Sequence, residues 1–111
     1  MKLTSEILAK EIIDDDFETK EFSVWPRDKN DEFCIRYSLG KEEIGNILHS
    51  VNAKCFRGKI KNEDKNIKAD WLYEFSLLYQ LTNEFGTTDM ILIYFKICEI
   101  NNRILIVSIH D

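Results

Sequence analysis

The sequence predicts one α+β domain built on a largely antiparallel sheet, with a C-terminal hairpin at its centre. Three observations lead there. Two apolar runs, residues 90–100 and 103–109, flank Asn101-Asn102, a pair that tolerates positive φ and so marks a hairpin turn. Two other stretches, 3–12 and 41–51, carry apolar residues at helical spacing. Finally, 111 residues with a single proline and four glycines suffice for one core, and show no linker, so residues 1–111 are expected to form a single domain.

In chain order, Leu3, Ile7, Leu8 and Ile12 fall at i, i+4, i+5 and i+9 and predict a first helix, capped by Thr4 or Ser5. Asp14-Asp15-Asp16 ends it, because three like charges sit at the unfavourable end of the helix dipole. Residues 17–25 alternate loosely and predict an exposed or edge strand, stopped by Pro26. Residues 27–32 read as a charged turn. Residues 33–37 predict a second strand with Phe33, Ile35 and Tyr37 on one side.

Ser38 is placed to cap a second helix over 41–51, whose Ile44, Ile47, Leu48 and Val51 form an i, i+3, i+4, i+7 stripe. Residues 54–60 predict a short strand with Phe56 and Ile60 inward and Arg57 and Lys59 outward, followed by a polar loop. The longest predicted helix covers 67–85, striped by Trp71, Leu72, Phe75, Leu78 and Tyr79 and closed by Gly86 as a left-handed cap. The expected order is α-β-β-α-β-α-β-β.

A two-residue turn at Asn101-Asn102 sets Ile100 opposite Arg103 and Cys98 opposite Leu105. One hairpin face then holds Ile91, Ile93, Phe95, Ile97, Ile104 and Ile106. The other holds Leu92, Tyr94, Cys98, Ile100, Leu105, Val107 and Ile109, with Lys96 among them. Neither face is polar, so both are expected to be covered, by helices or on one side by a partner.

The formal net charge of −5 disfavours a nucleic-acid partner, since phosphate contact needs a basic surface, and suits a basic protein. No apolar run follows Lys2 as in a signal peptide, and the apolar runs after Asp89 are too short to span a bilayer as a helix, so no membrane partner is expected. Cys34, Cys55 and Cys98 are odd in number, widely spaced and set among apolar neighbours. They read as reduced, mostly buried thiols of a cytoplasmic protein. GxGxxG, GxxxxGK[ST], HExxH and GxSxG are all missing. Asp14-Asp15-Asp16 with Glu18 reads as a solvated charge run, not a Ca²⁺ loop, because no glycine lies between Met1 and Leu39 to make the turn. His49 and His110 have no nucleophile-acid spacing around them. No enzyme activity, cofactor or metal is expected.

Charge is segregated along the chain. Residues 1–32 hold ten acids and five bases, residues 33–68 four acids and eight bases, and residues 69–111 six acids and two bases. The acidic stretch Asp14, Asp15, Asp16, Glu18 and Glu21 lies beside Phe22 and Trp25. An acidic rim with an aromatic anchor suits a grip on a basic protein, so these five acids and Trp25 are the expected partner-binding residues.

In size, acidity and thiol usage the chain resembles, by character and without a shared motif, small bacterial toxin-immunity proteins, including those of contact-dependent growth inhibition, many of whose toxins are nucleases. The resemblance implies a non-catalytic inhibitor that binds its cognate toxin one to one and plugs a phosphate-binding site. Two other classes share the acidity: homodimeric secretion chaperones, and phage anti-defence proteins that mimic nucleic acid.

Overall fold

The computed structural model describes residues 21–101 and 103–111. Its elements are β1 (Phe22–Val24), α1 (Asp28–Arg36), α2 (Lys41–His49), a 3₁₀ turn (Ala53–Cys55), β2 (Phe56–Lys61), β3 (Trp71–Thr82), β4 (Thr88–Ile100) and β5 (Arg103–His110). The strands form one sheet in the order β1-β5-β4-β3-β2. β1 runs parallel to β5, and every other neighbouring pair is antiparallel. The α+β class and the mostly antiparallel sheet are as expected. The predicted first helix lies outside the described residues.

Two elements differ from the expected order. The stretch read as the longest helix is a strand, β3. Its Tyr73, Phe75, Leu77, Tyr79 and Leu81 alternate onto one face and join a single core. Eight of its twelve positions are apolar, and Leu72 and Leu78 interrupt the alternation, so a helical stripe and a period of two coexist in the letters. Aromatic side chains favour the pleated form, and β4 supplies a continuous ladder from Tyr73↔Ile97 to Thr82↔Thr88. Gly86 does adopt a left-handed φ of 83°, but in the β3–β4 turn. There Asn83 Oδ1 accepts from the amides of Phe85 (2.9 Å) and Thr87 (3.0 Å).

The stretch read as a turn and a second strand, 27–37, is helix α1. Asp28 and Asp31 in its first turn and Arg36 in its last complement the helix dipole. Phe33 and Tyr37, one turn apart, meet edge to face at 5.1 Å. Ser38 does not cap α2. It takes a positive φ of 52° in the α1–α2 link, and Gly40 is the N-cap, its amide donating to Glu43 Oε2 at 2.9 Å.

The C-terminal hairpin keeps the expected partners, Ile100↔Arg103 and Cys98↔Leu105. One of its side chains changes face. Lys96 pairs with Ser108 but Ile97 pairs with Ile106, so Val107 is an extra residue in β5. Beyond such a bulge the parity of the strand inverts. Ile109, expected beside Val107, therefore lies opposite Phe95 in the helix-side core. A second irregularity between Phe56 and Gly58 separates Phe56 from Ile60, which packs in the cluster on the other face.

The main core lies between the sheet and the helices. It joins Phe33 of α1 and Ile44, Ile47 and Leu48 of α2 to Phe75, Ile93, Phe95, Ile97, Ile104, Ile106 and Ile109. The opposite face is covered over one half. The 62–70 loop folds back through the Asn62 side-chain amide, which donates to the carbonyls of Ile67 and Ala69, both at 2.8 Å. This lays Ile67 on Leu72, Cys98 and Val107, and Trp25 closes the same cluster. The three cysteines are free thiols, Cys34 half-buried and Cys55 and Cys98 buried.

Candidate protein-docking face

The half of that second face that the described residues leave open is built by β3 and β4. Leu78 stands opposite Leu92, Gln80 opposite Met90, Ser76 opposite Tyr94, and Glu74 opposite Lys96. Leu78 is 59% exposed, Met90 60%, Leu92 39% and Tyr94 43%. Cross-strand neighbours lie about 5 Å apart, so the four make one contiguous apolar stripe. On β5, His110 pairs with Tyr94 and stacks on its ring at 5.5 Å, while Arg57 of β2 donates from Nε to Ser76 Oγ at 2.6 Å. A water-facing stripe of Leu, Met and Tyr is the composition of a contact surface.

Among the described residues, both sheet edges carry features that disfavour strand addition. β2 carries Arg57, Lys59 and Lys61 in alternation with Gly58 and Ile60 and has a register shift at Arg57, features that deter edge-to-edge pairing. The other edge is only three residues of β1. Beyond it α1 supplies Asn30, whose amide donates to the carbonyl of Val107 (3.0 Å) while its oxygen accepts from the amide of Ile109 (2.9 Å).

At one end of the stripe, between α1 and the β4–β5 end of the face, lies a cleft of about 370 Å³. Arg27, Lys29, Arg36, Lys96 and His110 line it, with Glu32 and Asp111. Arg36 reaches Asp111 at 3.2 Å, and the Tyr37 hydroxyl donates to the same carboxylate at 3.2 Å. The Asp111 charge pushes the Arg36 guanidinium further up, and burial, then that same charge, pushes the Tyr37 phenol up. Five cationic or basic groups around one hollow stand out on a chain of net charge −5.

Of the residues expected to bind a partner, Asp14, Asp15, Asp16 and Glu18 lie outside the described residues. Glu21 is exposed just before β1 and pairs with Arg103 at 3.2 Å. Trp25 is half-buried against the Cys98–Val107 cluster, and its amide donates to the Ile106 carbonyl at 2.8 Å, so its ring helps close the sheet. The structure does not bring Trp25 and Glu21 into the stripe. Sequence reading set Leu92 and Tyr94 on the second face of the hairpin. It missed their union with Leu78 because β3 was expected to be a helix.

Among the described residues no three His, Cys, Asp or Glu side chains are grouped to hold a metal ion, and no helix is long and apolar enough to cross a membrane. No protein-family model, curated protein or solved structure matches this chain.

Proposed function

We propose that this is a non-catalytic binding protein that neutralises a basic protein partner one to one. The best reading of the partner is a cognate bacterial toxin, a nuclease in particular, which the chain inhibits in the cytoplasm as an immunity protein. The observation that carries the reading is the open half of the sheet: Leu78, Met90, Leu92 and Tyr94 exposed between two edges that disfavour strand addition. Such a stripe supplies the apolar anchor. The acidic stretch Asp14, Asp15, Asp16, Glu18 and Glu21 supplies the sign of the partner and steers its approach. A nuclease site is cationic because it holds phosphate, so carboxylates presented to it compete with its substrate.

The test is co-expression with the basic protein encoded directly upstream of this chain's gene. Protection of growth and a one-to-one complex by light scattering are expected. Reversing Asp14, Asp15 and Asp16 to lysine is expected to slow association at low salt, an effect that fades as the Debye length falls to about 8 Å at physiological ionic strength. A stable homodimer that gives no protection would overturn the reading in favour of a secretion chaperone.

A further inference from the structure

We propose that the cleft between α1 and the β4–β5 end of the sheet binds a small phosphomonoester, with Arg27, Lys29 and Lys96 gathered on its phosphate group and Ser108 donating to it. The first observation is unspent charge. Among the described residues the ion pairs are Arg36–Asp111 and Arg103–Glu21. Arg27, Lys29 and Lys96 therefore line the hollow with no carboxylate at ion-pair distance. Lys96 has Glu74 as its cross-strand neighbour and still pairs with no acid. The second observation is an unspent donor. Ser108 is 7% exposed and lines the same hollow. Among the described residues its hydroxyl has no hydrogen-bond partner, yet its oxygen is not sealed from water. A nearly buried hydroxyl left unpaired at the wall of a cleft is a donor in wait of an acceptor.

The arrangement selects phosphate among anions. Arg27 and Lys29 come from the start of α1, Lys96 from β4, and Ser108, its direct cross-strand partner, from β5. Donors that converge from three elements suit a group with three free oxygens better than a carboxylate with two. Four cations, Arg27, Lys29, Arg36 and Lys96, face Glu32 and Asp111, which leaves an excess of two positive charges. A phosphomonoester carries about −1.5 to −2 at neutral pH. At about 370 Å³ the cleft is at the small end of ligand sites. His110 forms part of its wall and lies on Tyr94 with ring centroids 5.5 Å apart, a platform for a planar group on the ligand.

The net charge of −5 decides between a small anion and a polyanion. It repels a nucleic acid as a whole, whereas a hollow lined by cations concentrates a small anion locally. The site goes beyond the function proposed above. It needs no protein partner and is measured on the isolated protein.

The experiment is a ¹H–¹⁵N NMR titration of the full chain with inorganic phosphate, ribose 5-phosphate and AMP, all at matched ionic strength. Saturable shifts are expected at the amides of Lys29, Lys96, Ser108 and His110. Acetate is expected to bind at least about tenfold more weakly. The Lys29→Gln, Lys96→Gln double variant is expected to lose about tenfold or more in phosphate affinity, because two charge-assisted contacts go. Arg103→Gln, at the opposite end of β5, is expected to lose none. AMP binding more tightly than ribose 5-phosphate would identify a ring stacked on His110, and equal affinities would identify the phosphate group alone as what is read. Absence of saturable shifts with all three probes overturns the proposal. So does equal affinity for acetate, or the same phosphate affinity in wild type and double variant. A single-stranded oligonucleotide without a terminal phosphate that binds more tightly than AMP would assign the cleft to nucleic acid and overturn it too. Because the probes are compared on wild type, a variant that fails to fold leaves the proposal decidable. A cleft that binds phosphate without growth protection would sink only the proposed function, and protection with an inert cleft would sink this inference alone.

Discussion

Asn30 and Val107 are separated by 77 residues and joined by one hydrogen bond, Asn30 Nδ2 to the Val107 carbonyl at 3.0 Å. The same amide nitrogen donates to the Trp25 carbonyl at 2.9 Å, and Asn30 Oδ1 accepts from the Ile109 amide at 2.9 Å. The side chain is 1% exposed. It stands where β1 would continue along β5 and offers the backbone groups a strand would offer. Buried backbone donors and acceptors need partners, and here one carboxamide serves the bulge at Val107 and Ile109 two residues on.

Asn30→Ala is therefore expected to destabilise the fold by about 2–4 kcal/mol, because it strands a buried donor and a buried acceptor at once. Asn30→Asp keeps the acceptor but turns a second oxygen toward the Val107 and Trp25 carbonyls, and is expected to cost at least as much at neutral pH. Urea unfolding measures both. An Asn30→Ala loss below about 1 kcal/mol would show that water replaces the amide at this edge.

The sheet's centre is expected to open last. β4 is bonded on both sides, to β3 and β5, so amides over residues 91–97 should exchange only near global unfolding. The turn amides over 84–87, which lie in exposed chain, should exchange far sooner. Fast exchange over 91–95 would contradict the central placement of the hairpin.

Gly86→Ala is expected to cost about 1 kcal/mol, since its φ of 83° is left-handed and strained for any residue with a Cβ. Nothing lies within 4 Å of an added Cβ, so the loss is one of backbone conformation alone. Thermal melts of the two proteins check it. An unchanged midpoint would mean that the turn relaxes to another type.

Burial pushes the Cys98 thiol from its ordinary 9.0 up to about 11. The folded state thus holds this proton more tightly than the unfolded chain. Its stabilising contribution is complete below about pH 9 and is lost as pH rises through about 11. Stability should fall with alkali in that window, and Cys98→Ala should flatten the slope there, whatever it costs in packing at neutral pH. A slope identical in both proteins would assign the alkaline loss to other groups.

The sequence by itself determined the parts whose pattern admits one period. Helix α2 was legible because Ile44, Ile47 and Leu48 alternate with polar residues at helical spacing. The C-terminal hairpin was legible from its turn pair and two apolar runs, down to the Ile100↔Arg103 register, and Asn101 takes the positive φ the turn demands, 51°. Tertiary structure decided the rest. β3 carries Leu72 and Leu78 on its otherwise polar face, so its letters fit a helical stripe as well as a strand, and the ladder with β4 selects the strand. α1 looked like a charged turn followed by a short strand because it buries just Asn30 and Phe33, too short a stripe to read. The faces of Ile109 and Ile60 depended on single extra residues, Val107 and Arg57, which leave no mark in local composition. The open stripe of Leu78, Met90, Leu92 and Tyr94 followed from all three. A strand's letters show which side chains share a face, but whether water touches that face depends on elements far away in the chain.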